Sequence, residues 1–509
     1  MTTKNKKNKS KKSLVFSSLI IALGILLITV VLSLIKFESQ KTMIVNSALE
    51  TSLILVNNIF SGVGIKTMLN NCISNFASFE PLILILISII GISVAELSGL
   101  FKAICSKYRN IKFNKLIIFT MFISIISGVF GEYSFALVMP FMGVLYKNMG
   151  KNPLLGLLIS FLGLTIGSGI TMVFNYDNYL LGELTTSAAR VEVDKNYSYN
   201  LLSTLYISLA SLVIIILVGL VIINKILLPK FSKNYNIHEE MEEIIESRTA
   251  KKYSMIALII MLVLIAYEII PGLPLSGLLL NMNEKDYIGQ LFSYDSPFRN
   301  SLVLIVSVIL IVCGYVYGIV SKNIKESKDF ITSLNHIFDS FGLLFILSFI
   351  FAQLISVIEW TNIGEVISAN LVNALTSMQL SGIPLILLFI IFVIISTFFM
   401  PALLDKWILF SPLIVPLFMR ANIAPEFTQF IFCVSDGIGK SLTPLFGYFI
   451  VLIALLRRYN IKNTEFDAFS NFYKMILPIV VTFALLWVLI ILGWYISGLP
   501  IGINGLATL

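Results

Sequence analysis

The sequence predicts an all-α polytopic membrane protein, with about nine transmembrane helices plus two re-entrant hairpins arranged as an inverted repeat. Three observations lead to this fold class. Hydrophobic residues make up 57% of the 509 residues and charged residues only 13%, which lies outside the range of soluble domains. Long apolar runs recur along the chain. Two further apolar regions are interrupted by glycine, proline and threonine.

The first apolar run, residues 14–35, follows a basic tail at residues 1–13 that contains six lysines. The run is about as long as one bilayer crossing and lacks a small-residue cleavage site, so we predict a retained first helix with a cytoplasmic N-terminus. The net charge of +8 lies mostly in this tail and in short loops. We therefore interpret the basicity as membrane topology, with no nucleic-acid partner.

The remaining uninterrupted apolar runs are long enough to cross a bilayer. They lie near residues 80–104, 198–228, 253–272, 299–320, 338–358 and 473–496. Lysine and arginine concentrate in the connections at 107–115, 230–252, 322–328 and 457–462, which we place in the cytoplasm. The connections at 37–79 and 271–300 are then predicted to lie outside.

Residues 116–190 and 381–450 are apolar but repeatedly broken by glycine and proline. Irregular backbone persists at membrane depth only where it is buried in protein or lines a cavity, so both regions predict re-entrant hairpins beside broken helices. Their order also repeats: a proline-started arm, a break containing Thr171 or Thr397, then a segment with carboxylates. Paired interrupted segments are typical of secondary transporters, whereas the alternative is proline-kinked packing helices. Residues 116–150 fit one kinked crossing or two short arms.

These patterns divide the chain into successive regions. They are a basic tail (1–13), N-terminal helices (14–104), a first transport repeat (105–229) with hairpin 1 at about 153–190, a charged linker (230–252), scaffold helices (253–358), a second transport repeat (359–460) with hairpin 2 at about 381–416 and a broken helix, and a C-terminal helix (461–509).

A cluster of ionisable residues lies within the second interrupted region. Asp405, Lys406, Asp436 and Lys440 stand among glycine, serine, threonine and proline. A charge at bilayer depth is costly unless it is paired or faces water, so such a cluster marks a place where a polar molecule binds or crosses. The cluster therefore favours a carrier of a small molecule.

The sequence lacks the motifs that are typical of other function classes. His238 and His336 both fall in polar connecting segments, which leaves no intramembrane metal triad. No GxSxG, HExxH or Walker-type glycine loop occurs, which disfavours a membrane enzyme and a nucleotide-driven pump. We predict no enzyme activity and no cofactor beyond coupling to a sodium ion or a proton.

Several short motifs occur in a fixed order from residue 91 to residue 445. They are GISVAELSGL (91–100), YSYNLLSTLY (197–206), EWTNIG (359–364), SGIPL (381–385), KW (406–407), SPLIVP (411–416), PEFTQ (425–429), Asp436 and TPL (443–445). In this order they resemble the p-aminobenzoyl-glutamate transporter family, AbgT, within the ion-transporter superfamily. The resemblance covers nearly the whole chain.

The resemblance implies a homodimer in the inner (cytoplasmic) membrane, built with two re-entrant hairpins and an inverted repeat. It also implies a cation-coupled carrier, with p-aminobenzoyl-glutamate import or export of sulfonamide-type antimetabolites as the activity. Import and export stay open, and so do sodium and proton coupling.

The resemblance also implies a set of site residues, some of which differ from the family pattern. Its substrate set is Trp407, Pro425, Cys433, Asp436, Lys440 and Pro444. Its ion-binding or proton-coupling set is Thr171, Thr397, Asp436, Glu132 and Asp405. The family has asparagine at both threonines, arginine at Cys433, asparagine at Lys440, aspartate at Glu132 and a small residue at Asp405.

Lys440 changes the expected ion chemistry. On a helical turn, Asp436 and Lys440 lie at i,i+4 and bring an ammonium close to a carboxylate. We therefore predict either that Lys440 replaces the sodium ion, or that it extends to the membrane interface and touches nothing. Because Cys433 supplies no guanidinium, Lys406 or Lys440 would serve as the positive charge, and an organic anion other than a glutamate conjugate is a second candidate cargo.

Overall fold

A computed structural model shows a mostly helical chain and describes residues 14–171, 175–231, 247–324, 328, 331, 334–335, 341–459 and 469–509. The basic tail, both histidines and most of the charged linker lie outside these residues. The predicted division into domains stays a prediction.

The N-terminal part contains elements that the sequence analysis did not predict. Helix α1 (Leu14–Ser33) leads into strands β1 (Glu38–Val45) and β2 (Ala48–Leu55), which pair antiparallel with Val45 opposite Ala48. The two turn residues, Asn46 and Ser47, both have positive φ, which matches the twist of a two-residue hairpin. Helix α2 (Gly62–Ala77) follows, so the connection predicted at 37–79 is largely ordered.

Glycine ends the third helix before its predicted boundary. Helix α3 (Glu80–Leu97) ends just before Gly99, which has a φ of 84°, and a short helix α4 (Leu100–Cys105) begins after it. Helices α5 (Phe113–Ser127) and α6 (Tyr133–Asn148) flank a break that includes Gly131, whose φ is 58°. Residues 116–148 therefore form two arms rather than one continuous helix.

The first hairpin consists of α7 (Pro153–Ile166) and α8 (Tyr176–Glu192). Asparagine caps both arms: the Asn152 side chain accepts from Leu154 N at 2.9 Å, and Asn175 Oδ1 accepts from Asp177 N at 2.8 Å. The next apolar run forms α9 (Leu205–Ile222), one π-helical segment (Ile223–Leu227) and α10 (Leu228–Phe231).

Three helices follow the charged linker: α11 (Arg248–Glu268), α12 (Tyr287–Phe292) and α13 (Pro297–Val320). Helix α13 packs along α3 and α11. Small residues allow the close approach to α3, because a Cβ added at Gly91 would lie 2.7 Å from Ser307 and one at Gly314 would lie 2.9 Å from Ala95. This contact gives a structural role to the GISVAELSGL motif.

The second half contains α14 (Gly342–Trp360), α15 (Ile363–Ser377), α16 (Gly382–Phe399), α17 (Leu403–Arg420), α18 (Pro425–Lys440), α19 (Gly447–Tyr459) and α20 (Phe469–Ser497). Helices α16 and α17 form the second hairpin, whose return arm contains Pro412 and Pro416. Helices α18 and α19 are separated by residues 441–446, which include Pro444.

The described part of the chain has eight helices that are long and apolar enough to cross a membrane. They are Gly62–Leu97, Phe113–Phe130, Leu205–Phe231, Arg248–Glu268, Pro297–Val320, Gly342–Trp360, Gly382–Phe399 and Asn471–Ser497. Helix α18 differs from these because every one of its residues is buried. It packs against both hairpins and α20, so its charged side chains lie inside the protein rather than against lipid.

Candidate functional site

The two hairpin tips approach α18 from different sides at two glycines. A Cβ at Gly437 would lie 2.1 Å from the Thr165 carbonyl oxygen and 2.7 Å from Ser168 Cβ, both near the first tip. A Cβ at Gly439 would lie 2.6 Å from Thr397 Cβ in the second hairpin. Glycine is therefore needed at both positions for the backbones to approach this closely.

Asp436 forms the centre of the site together with Lys406 and Thr397. Lys406 Nζ contacts Asp436 Oδ1 and donates a hydrogen bond to Thr397 Oγ1 at 2.7 Å. Thr397 Oγ1 also lies 3.1 Å from Asp436 Oδ1 and 2.8 Å from the Val393 carbonyl oxygen. The side chains of Lys406 and Asp436 are fully buried, so each charge depends on the other for compensation.

Lys440 links this centre to Glu132, whose side chain is partly exposed. Its Nζ lies 3.1 Å from Asp436 Oδ2 and donates to Glu132 Oε1 at 2.7 Å. The contact with Oδ2 is an ion pair without hydrogen-bond alignment. Lys440 is 5% exposed and Glu132 is 42% exposed. Lys406, Asp436, Lys440 and Glu132 thus alternate in charge from the interior to a water-accessible end, and we call them the buried charge chain.

The local sequence explains part of this arrangement. Asp436 and Lys440 are one turn apart on α18, so their side chains lie on the same helix face. Lys440 is also the last residue of α18, where a cation interacts favourably with the helix dipole. Lys406 comes from α17 and Glu132 from the break before α6, and only the packing of these elements brings them to Asp436.

The predicted ion-binding residues do not all meet. Thr397 and Asp436 are in contact, but their facing oxygens hold the ammonium of Lys406. Sequence analysis predicted that Lys440 replaces a sodium ion here, and it named Lys406 as a member of the charged cluster and as a positive charge for the cargo. The replacement of an ion stays a prediction. Lys440 contacts Asp436 as predicted and, in this conformation, is bound to two carboxylates rather than extended to an interface.

Thr171 lies in a different environment. Its backbone N–H donates to Ser208 Oγ at 3.1 Å, and its hydroxyl lies 2.9 Å from Thr204 Oγ1. No hydrogen bond joins Thr171 to Asp436 among the residues that the structure describes. Its predicted ion-binding role stays a prediction.

Trp407 links the two hairpins. Its indole N–H donates to Thr185 Oγ1 on α8 at 3.0 Å, and its ring lies 4.4 Å from the Phe432 ring. Thr185 also hydrogen bonds Gln429 of α18 at 2.6 Å, and Gln429 contacts Asn178 on α8. Trp407 is fully buried, so in this conformation it joins α8, α17 and α18 rather than facing a cavity.

The other predicted site residues surround the same helix. Pro425 begins α18, Cys433 is buried in its middle, and Pro444 lies in the break after it. Tyr473 of α20 hydrogen bonds the Leu442 carbonyl within that break. Asp405 is exposed in the first turn of α17, directly before the buried Lys406. Their predicted binding roles stay predictions.

Asp405, which precedes Lys406 in the chain, lines two cavities. The first, the acidic cavity, has a volume of about 350 Å³ and is lined by Glu359, Asp405, and the ion-paired Lys41 and Glu365. Lys41 belongs to β1, so the unpredicted β-hairpin closes one wall.

The second cavity, which we call the arginine cavity, has a volume of about 270 Å³. It is lined by Glu80, Glu132, Tyr133, Tyr176, Asp177 and Arg299, among others. Sequence analysis predicted no role for Glu80 or Arg299, because each lies at the start of an apolar run that was predicted only as a membrane span. No spacing in the sequence indicates that they meet.

Among the described residues, no group of three or more histidine, cysteine, aspartate or glutamate side chains has the geometry to hold a metal ion. The buried site is instead organised by ammonium and carboxylate groups.

Comparison with known proteins decides the family. The AbgT putative transporter family matches residues 10–509, which is nearly the entire chain. The chain belongs to the AbgT family. This confirms the resemblance seen in the ordered motifs, and it makes the protein a multi-pass membrane transporter of a small molecule, rather than an enzyme, as predicted.

Individual AbgT relatives match over similar lengths. The p-aminobenzoyl-glutamate transport protein of Escherichia coli (strain K12) is 27% identical over 458 residues, covering 88% of this chain and 86% of the relative. The YdaH transporter of Alcanivorax borkumensis is 22% identical with a TM-score of 0.48, covering 96% of this chain and 100% of that chain. MtrF of Neisseria gonorrhoeae, assigned to a class of antimetabolite efflux pumps, is 22% identical with a TM-score of 0.47, covering 96% of each chain.

Proposed function

We propose that this AbgT protein is a secondary active transporter of small aromatic or carboxylated metabolites, and that its central site operates without sodium. The observation that supports this proposal is the position of Lys406. Its ammonium contacts both Asp436 and Thr397, which are two of the five residues predicted to bind an ion or couple a proton.

Electrostatics disfavours a sodium ion at this position. Asp436 already faces two ammonium groups, one at each carboxylate oxygen. Two like charges about 4 Å apart repel by about 4 kcal/mol at an effective dielectric constant of about 20. A sodium ion placed beside Asp436 would meet this repulsion from Lys406 and again from Lys440. The tethered ammonium groups therefore take over the charge compensation that a bound cation would supply.

Proton coupling through Glu132 fits the same charge chain. Glu132 is its most exposed member and lines the arginine cavity, where water can deliver a proton. Protonation of Glu132 removes one of the two carboxylates that hold Lys440 and leaves the ammonium with Asp436 alone. We propose that this change in pairing couples proton movement to rearrangement of α18.

The Escherichia coli relative supports p-aminobenzoyl-glutamate as the first cargo to test, and sulfonamide-type antimetabolites, which the family resemblance implies, are the second. Cys433 provides no guanidinium, so the positive charge near α18 comes from Lys406 and Lys440. The family resemblance supports a homodimer in the inner membrane, and the basic loops support a cytoplasmic N-terminus.

Counterflow in proteoliposomes tests this proposal. Vesicles loaded with unlabelled p-aminobenzoyl-glutamate should take up the labelled compound equally well when sodium is replaced by choline. Lys406→Met should create sodium dependence or abolish counterflow, because it exposes Asp436 and Thr397 to an external cation. Lys147→Met is the matched control, since Lys147 pairs with Glu96 outside the charge chain. Strict sodium dependence of counterflow by the native protein would contradict the proposal.

A further inference from the structure

We propose that the arginine cavity recognises a small ligand that carries both a carboxylate and an ammonium group around an aromatic body, such as an aromatic amino acid or its conjugate. This inference rests on the proposed transport function, because it treats this ligand as cargo. In this proposal, Arg299 at the start of α13 supplies the guanidinium that Cys433 does not provide.

Three tyrosines hold the Arg299 guanidinium in place. It lies 3.5 Å from the centre of the Tyr176 ring, 5.2 Å from that of Tyr294 and 5.5 Å from that of Tyr133. Such stacking on aromatic rings fixes the plane of the guanidinium and leaves its edge available for hydrogen bonds.

The hydrogen-bonding capacity of Arg299 is largely unused. Its Nη1 donates to the Tyr294 carbonyl oxygen at 2.8 Å, while its buried Nε has no hydrogen-bond partner. No carboxylate of the described residues lies within ion-pair distance of it. A fixed guanidinium with free donors, facing a cavity, is suited to bind a carboxylate through two hydrogen bonds.

The acidic residues of the cavity require a positive group on the same ligand. Glu132 is already paired with Lys440. Glu80, Asp177 and Asp405 line the cavity, and none of them forms an ion pair with a described side chain. A purely anionic ligand would gain Arg299 but would face these carboxylates. A ligand that also carries an ammonium can pair with Arg299 through its carboxylate and with the acidic residues through its ammonium.

The size and walls of the cavity restrict the ligand further. A volume of about 270 Å³ lies just below the range of about 300–1,000 Å³ typical of small-molecule sites. Tyr133 and Tyr176 supply aromatic walls, and Leu180 and Leu181 add apolar surface. The walls come from α3, α6, α8, α13 and α17, so an occupant would contact both hairpins and α13 together.

A series of three probes with one aromatic body tests the inference. They are L-phenylalanine with both charges, N-acetyl-L-phenylalanine with only the carboxylate, and L-phenylalaninamide with only the ammonium. Ligand-observed NMR titration of the purified full-length protein in nanodiscs would measure each Kd. L-phenylalanine should bind at least about tenfold more tightly than either analogue, because each analogue loses one charge-assisted contact.

Two variants separate the roles of the charges. Arg299→Gln should weaken L-phenylalanine binding about ten- to hundredfold and remove its advantage over L-phenylalaninamide. Asp177→Asn should reduce the advantage over N-acetyl-L-phenylalanine. Arg299→Lys keeps the positive charge but cannot form the paired hydrogen bonds of a guanidinium, so it should bind L-phenylalanine with intermediate affinity. Binding by this variant also shows that a substitution at this position leaves the protein folded. Arg248→Gln, at an exposed arginine of α11, should change none of these values.

The inference would be overturned by equal binding of L-phenylalanine and N-acetyl-L-phenylalanine, by absence of L-phenylalanine binding, or by unchanged affinities in Arg299→Gln. These results are independent of the sodium test. Sodium-dependent counterflow together with Arg299-dependent selectivity would contradict only the proposed coupling, and sodium-independent counterflow without that selectivity would contradict only this inference.

Discussion

The two hairpins have similar element order but differ in the charge at their tips. Each consists of two helical arms joined by a short break, and each approaches α18 at a glycine. In the first hairpin, Thr171 hydrogen bonds the neutral side chains of Thr204 and Ser208. In the second, Thr397 contacts the charged groups of Lys406 and Asp436. The backbone arrangement is therefore repeated, while only the threonine of the second tip hydrogen bonds charged side chains.

This difference indicates unequal roles for the two tips. Hydrogen bonds between neutral side chains in membrane proteins contribute about 0.6 kcal/mol on average. Removing one partner of a buried ion pair costs about 3–5 kcal/mol, because it leaves an uncompensated charge. We therefore expect the first tip to tolerate substitution and the second tip to control both stability and transport.

The largest expected effect comes from neutralising Asp436. Asp436→Asn leaves Lys406 fully buried without a carboxylate, so we expect a loss of about 3–5 kcal/mol in stability together with loss of counterflow. Thermal unfolding in detergent and proteoliposome counterflow would measure the two effects.

An apolar replacement of the pair is the control. Lys406→Met combined with Asp436→Leu removes both charges while keeping Lys440 paired with Glu132. It should recover most of the stability but not the transport. If Asp436→Asn alone has the same Tm as the native protein, the charge chain does not stabilise the second tip.

A paired substitution of the tip threonines compares the hairpins directly. Thr397→Val removes a hydroxyl bonded to charged groups and should cost about 1.5–3 kcal/mol. Thr171→Val removes a bond between neutral hydroxyls and should cost about 0.6 kcal/mol. Differential scanning fluorimetry of both variants would measure the asymmetry. Equal shifts in Tm would mean that the charge at the second tip has no special role.

The smallest expected effect concerns the link between the hairpins. Trp407→Phe keeps an aromatic ring against Phe432 but removes the hydrogen bond to Thr185 on α8. We expect a loss of about 0.6 kcal/mol with little change in cargo affinity, because the indole is buried away from the cavities. Thr185→Val is the matched control from the other side of the bond. A large change in cargo affinity in Trp407→Phe, without one in Thr185→Val, would favour the direct cargo contact that the sequence predicted.

Much of the fold could be predicted from local sequence signals. Composition and long apolar runs predicted the membrane class, and the proline, glycine and threonine breaks predicted where the chain turns back near Thr171 and Thr397. The ordered β-hairpin at residues 38–55 was missed, although Asn46 and Ser47 are suited to its turn. The long helix predicted at 80–104 overlooked Gly99, whose positive φ ends α3.

The candidate site also combines one contact that the sequence predicts with contacts that depend on tertiary packing. Asp436 and Lys440 could be paired from sequence because one helical turn separates them, and helix geometry alone places them on one face. Lys406 lies 30 residues from Asp436, and Glu132 lies 308 residues from Lys440. Periodicity within a helix gives the direction of a side chain but not the helix that faces it. The sequence alone therefore determined the membrane class, the breaks and one ion pair, whereas tertiary packing decided which ammonium occupies the Asp436 site and brought Arg299 to the tyrosines.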